Sequence, residues 1–144
     1  MKKILLLIFL PFFIQCSTST NEAQDKEAIL KVMKAQEIAW SNNDLEGFMQ
    51  GYWKNKNLKF FGKSGLTNGW QQTLDNYKKG YPTKNESGKL TFKVKDISKI
   101  ENNSYWVMGN YFLKRKIGDA TGVFMIIFKK INGNWKIVAD MSCG

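Results

Sequence analysis

Residues 89–95 read Lys89-Leu90-Thr91-Phe92-Lys93-Val94-Lys95, and at this point the hydrophobic pattern changes its period. Leu90, Phe92 and Val94 alternate with polar residues, the two-residue repeat of a strand with one buried face. The chain keeps that period to its end, with turns expected at Asn102-Asn103, Gly118-Asp119 and Asn132-Gly133. The last is the Asn-Gly type, whose positive φ angles suit a two-residue hairpin. The spacing predicts four long antiparallel strands. Two of them, Tyr105 to Leu113 and Val123 to Phe128, are apolar on both faces. Helices should cover one face of such a sheet, and the other calls for a second subunit, hence an expected homodimer. Gly109 and Gly122, inside strands, predict bends or bulges that curl the sheet.

Upstream the period is helical. Ile29, Val32, Met33, Ala39 and Trp40 follow helical spacing from about Asp25, and Ser41-Asn42-Asn43 ends the pattern. Asn43-Asp44-Leu45-Glu46 then resembles a capping box in which Asn43 accepts and Glu46 reaches back, opening a short helix with Leu45, Phe48, Met49 and Tyr52 as its stripe. Trp53 leads into a strand around Leu58 to Phe61. Asn68-Gly69-Trp70-Gln71 repeats the capping pattern, and Trp70, Leu74 and Tyr77 mark a third helix over 69–79, stopped by Gly80 and Pro82. Residues 83–88 read as a loop. The fold class expected is therefore α+β, a curved antiparallel sheet packed against three N-terminal helices.

The 144 residues suffice for one domain. With 43% hydrophobic and 14% aromatic residues the chain can bury a core despite 22 basic against 12 acidic side chains and a net charge of +10. Histidine is absent. That removes Ser-His-Asp and Cys-His nucleophiles, histidine bases and most zinc or non-haem iron sites, and two cysteines cannot build a thiolate cage. No metal and no cofactor is expected.

Lys2 and Lys3 precede an apolar run from Ile4 to Ile14, about half the roughly 20 residues that span a bilayer. Residues 1–15 read as a signal peptide. The run ends at Cys16, followed by Ser17-Thr18-Ser19-Thr20-Asn21, which resembles a bacterial lipoprotein signal with Cys16 acylated and residues 16–24 as a polar tether to a domain over 25–144. Gln15 departs from the small residue usual before that cysteine. The alternative is secretion with cleavage among Ser17 to Thr20. Either route implies an extracytoplasmic protein of the bacterial envelope, and lipidation implies an outer-membrane anchor. Removing residues 1–15 takes two lysines and no acid, leaving +8. Export separates that charge from nucleic acid, so its partners would be anionic headgroups, polysaccharide or acidic ligands, or it is simply a solvated lysine surface.

The order helix, short helix, strand, helix, long meander resembles the nuclear-transport-factor-2-like superfamily, a cone of curved sheet closed by helices. Ala39-Trp40-Ser41-Asn42-Asn43-Asp44-Leu45 is similar to that family's Trp-x-x-x-Asp-Leu turn. Gly122-Val123-Phe124, Phe128-Lys129-Lys130 and Trp135-Lys136-Ile137 resemble its SnoaL-like branch, which includes domain-of-unknown-function-4440 proteins. That branch commonly ends in Trp-x-Ile-x-x-Asp-His-x-Ser, where this chain has Trp135-Lys136-Ile137-Val138-Ala139-Asp140-Met141-Ser142. Met141 stands in the histidine's place, which weakens any transfer of the superfamily's isomerase, dehydratase or cyclase chemistry.

The resemblance makes the cone interior the pocket. Asp140, between Ala139 and Met141, would have a raised pKa if enclosed, fit for a general base or a polar ligand contact; otherwise it is a hydrogen-bonded strand-end aspartate. Asn110 interrupts the face Trp106, Met108, Phe112 and either donates to a ligand or bonds backbone. Arg115 is a rim anion handle or an exposed strand end. Trp40, Tyr52, Trp53, Phe61, Trp70 and Tyr77 form an aromatic lining or ordinary core. Trp135 reads as core, starting a period-two pattern with Ile137 and Ala139. Cys143 has no neighbour to activate it. The leading expectation is a non-catalytic, lipid-anchored domain binding a small apolar or weakly acidic molecule. The alternatives are an isomerase or dehydratase with Asp140 as base and Asn110 or Tyr52 as oxyanion donor, and a protein-assembly module.

Overall fold

The computed structural model describes residues 18–144; the signal-peptide expectation and Cys16 lie outside the described residues. Helix α1 spans Thr18–Ser41 and so takes in residues 18–24, expected as tether. Ile29, Met33, Gln36 and Trp40 form its buried stripe, a regular three-to-four-residue spacing. Gln36 is tolerated there because its Nε2 donates to the Phe48 carbonyl at 3.2 Å.

Helix α2 is Leu45–Met49 and its N-cap is Asp44, not Asn43: the Asp44 carboxylate accepts from the Gly47 N–H at 2.8 Å. Asn43 instead takes a left-handed φ of 58° that ends α1, and Glu46 pairs with Lys78 at 2.7 Å. Strands β1 (Lys59–Gly62) and β2 (Gly65–Asn68) form a small hairpin, of which only the first strand was expected. Helix α3, Trp70–Gly80, starts from Gly69 at φ 86° without a side-chain cap, so the second expected capping pattern does not form. The expected loop at 83–88 contains a further turn of helix, α4 (Lys84–Ser87), and it is this turn that carries a capping box, between Thr83 and Glu86.

Four long strands follow: β3 (Lys89–Glu101), β4 (Ser104–Lys114), β5 (Ala120–Ile131) and β6 (Asn134–Cys143). They pair antiparallel in sequence order, with turns where expected; Asn132 and Gly133 both have positive φ. The sheet is nevertheless mixed. Its order is β2-β1-β6-β5-β4-β3, and β1 joins β6 in parallel, Phe60 opposite Asp140. Sequence periodicity cannot show this pairing because it sets a strand's faces and not its neighbours.

The curl comes from extra residues in two strands. Between Val94 and Asp96 the register of β3 against β4 shifts, leaving Lys95 over, beside Gly109, where a β-carbon would collide with the Lys93 carbonyl. In β6 the shift lies between the partners of Ile127 and Phe128, which face Ala139 and Ile137 and leave Val138 over. No register shift occurs at Gly122. The helices pack on the concave face, where Tyr105, Val107, Phe124, Ile126, Phe128 and Ile137 are buried. The convex face is open, with Trp106, Phe112, Val123, Met125 and Met141 each at least 40% exposed.

Candidate functional site

Between the concave face and helices α1–α3 lies a cavity of about 690 Å³. Its walls are largely aromatic: Trp40 from α1, Phe48 from α2, Phe60 from β1, Tyr77 from α3, and Phe92 and Phe124 from the sheet. The rings hold one another edge to face, Trp40 to Phe48 at 4.9 Å between centroids, Phe48 to Tyr77 at 5.4 Å and Phe60 to Tyr77 at 5.6 Å. Trp40 is fixed further by donating Nε1 to the Ser87 carbonyl at 2.8 Å. Lys63 and Lys79 stand exposed at the rim.

One wall carries a polar cluster. Asp140 is buried at 7% exposure; Tyr52 donates to its Oδ2 and Ser142 to its Oδ1, each at 2.6 Å. These short distances fit hydroxyls bonded to an ionised acceptor. Burial raises the carboxyl pKa above its ordinary value, while the bonds from Ser142 and Tyr52 pull it partly back. Burial, together with the Asp140 charge, pushes the Tyr52 and Tyr77 phenols well above their usual range, so both remain protonated donors at neutral pH.

Local structure explains the cluster. Tyr52 is not on α2 as expected; it follows the helix and makes a parallel bridge to Ile137. Asp140 faces the cavity because of the Val138 bulge. A regular β6 with Trp135 and Ile137 inward would also turn Ala139 and Met141 inward and carry Asp140 to the convex face.

Of the residues singled out from sequence, Trp40, Tyr52, Tyr77 and Asp140 meet at this cavity. The others lie elsewhere. Asn110 shares the convex face with Trp106 and Phe112, opposite Val123. Phe61 is 47% exposed, since its neighbour Phe60 has the inward parity. Trp70 is buried outside the cavity, donating Nε1 to the Met49 carbonyl with the Lys54 ammonium 4.9 Å above its ring. Trp53 is half-buried and its N–H bonds Ile137. Arg115 closes the β4–β5 loop through Nε to the Gly118 carbonyl at 2.8 Å. Sequence reasoning missed Phe48, Phe60, Tyr81, Phe92, Phe124 and Ser142. Phe92 and Phe124 were legible as inward positions of alternating strands; Ser142, two residues beyond Asp140, shares its face by the same rule.

The arrangement presents rings on its walls and one hydroxyl-braced carboxylate. No protein-family model matches this chain, and neither does any curated protein. Solved structures do. An NTF-2 like protein of unknown function from Shewanella oneidensis MR-1 superposes with a TM-score of 0.80 at 39% identity, over 83% of this chain and 99% of that one. An NTF2-like superfamily protein from Salmonella enterica serovar Typhimurium LT2 gives 0.64 at 20% identity, over 89% and 93%. One from Pseudomonas putida KT2440, also of unknown function, gives 0.65 at 10%, over 88% and 87%. Curved sheet, helical cover and the pocket between them define a small α+β domain of the cone type. This chain belongs to the nuclear-transport-factor-2-like family.

Proposed function

We infer that this protein is a non-catalytic small-molecule-binding domain of the SnoaL-like, domain-of-unknown-function-4440 branch, exported and held in the bacterial cell envelope by lipid on Cys16. The observation that carries the binding reading is the aromatic cavity with the carboxylate of Asp140 on its wall, braced by Tyr52 and Ser142. Its volume is that of a site for a small organic ligand, mostly apolar with a few polar contacts that orient the guest. Export rests on the apolar run from Ile4 to Ile14 that ends at Cys16.

The geometry removes both oxyanion donors that the enzyme alternative expected. Asn110 is on the opposite face of the sheet from Asp140, and the Tyr52 hydroxyl is spent on Asp140 itself. Ligands found by thermal shift should therefore be recovered chemically unchanged; turnover that disappears in Asp140→Asn while binding persists would replace this reading with an enzyme.

Assembly is supported by a different observation, the convex face with Trp106, Phe112, Val123, Met125 and Met141 exposed together. A contiguous apolar surface of this kind is costly in water and suits a two-fold contact with a second copy of the chain.

A further inference from the structure

The polar cluster of the cavity lacks a positive charge. Asp140 receives two hydroxyl hydrogen bonds, and among the described residues it has no ion-pair partner, every ion pair lying elsewhere. A carboxylate accepts at about four lone-pair positions, so after Tyr52 and Ser142 it retains sites for a further donor. A buried carboxylate left without a cation is expensive. The same wall is surrounded by rings, Trp40, Phe48, Phe60 and Tyr77, whose faces attract positive charge. The cavity's own cations, Lys63 and Lys79, are at the exposed rim, where water and salt screen them, and neither is paired with Asp140.

We propose that the ligand of this cavity is a small organic cation, a protonated amine on an apolar or aromatic body, whose ammonium group pairs with Asp140 while the body lies among the rings. Tyr52 and Ser142 act as positioning residues: their hydroxyls hold the carboxylate oriented before the ligand arrives, so little ordering is left for binding to supply. The proposal rests on the binding reading above and narrows it. A neutral ligand would leave the buried charge uncompensated, and an anionic one would oppose it.

Three probes of one shape separate the possibilities: phenylpropylamine, phenylpropanol and phenylpropanoate, titrated calorimetrically into the full chain at neutral pH. The amine should bind at least about tenfold more tightly than the alcohol, because its full positive charge attracts the carboxylate in a site shielded from water while the hydroxyl is a neutral donor. Asp140→Asn should abolish that preference, leaving the amine no tighter than the alcohol. Alcohol or carboxylate binding as tight as the amine overturns the amine assignment and keeps the cavity as a binding site. Failure of all three at millimolar concentration counts against both readings. The comparison among probes is made on the unaltered protein, so it stands even if the variant folds poorly.

Discussion

The hydroxyl of Tyr52 donates to Oδ2 of Asp140 at 2.6 Å, joining two residues 88 positions apart. Tyr52 is held there by its parallel bridge to Ile137, and Asp140 is turned toward it by the extra residue Val138. This bond ties the segment after α2 to the last strand and orients the buried carboxylate that faces the cavity.

Tyr52→Phe keeps the ring and removes the bond. Because the Tyr52 hydroxyl lowers the Asp140 pKa, its loss should raise that pKa further, visible as an upward shift of the carboxyl titration by NMR. The stability cost should be about 1–3 kcal/mol in chemical denaturation, the range for a buried acceptor that loses a donor. An unmoved Asp140 titration would mean the bond does not form in solution.

Burial holds the folded-state pKa of Asp140 above its ordinary value. The stability linked to protonation is then fully present below the ordinary carboxylate pKa and lost as pH rises through the raised folded value. Asp140→Asn is uncharged at every pH. It should melt with wild type in acid and a few degrees above it at neutral pH, each kcal/mol moving the melting temperature of a domain this size by about 4 °C. A variant that is less stable at neutral pH would show that the charge is compensated in the folded state.

Met125 lies at the centre of the convex face, 40% exposed, between Met108 on β4 and Met141 on β6. In a monomer Met125→Lys should cost less than about 0.5 kcal/mol, as exposed substitutions do. In a dimer closed on this face it should bury two like charges, so light scattering should report the dimer mass for the wild-type soluble domain and the monomer mass for the variant. A wild-type monomer at tens of micromolar removes the dimer.

Under the proposed lipidation, Cys16→Ser should move the protein from the membrane fraction to the soluble periplasmic fraction, since it removes the sulfur that would carry the diacylglycerol. Mass spectrometry of the N-terminal peptide checks the same point. Unchanged fractionation with no diacylglyceryl mass would remove the lipoprotein assignment.

Much of the architecture was legible in the sequence because it follows from local rules. Ile29, Met33 and Trp40 mark one face of a helix by spacing alone, and Asn132-Gly133 closes a hairpin because both residues tolerate positive φ. The alternation of Leu90, Phe92 and Val94 gave the inward face of β3 as far as Lys95. Tertiary structure decided the rest. The parallel pairing of β1 with β6 depends on where the chain returns and leaves no local signature. Asn110 and Phe61, expected at the lining, point outward, as alternation followed strictly from Tyr105 and Phe60 requires. The phase of Asp140 was beyond periodicity altogether. Side chains alternate with a period of two, so one unpaired residue reverses every position after it, and whether Val138 is that residue is settled by pairing with β5.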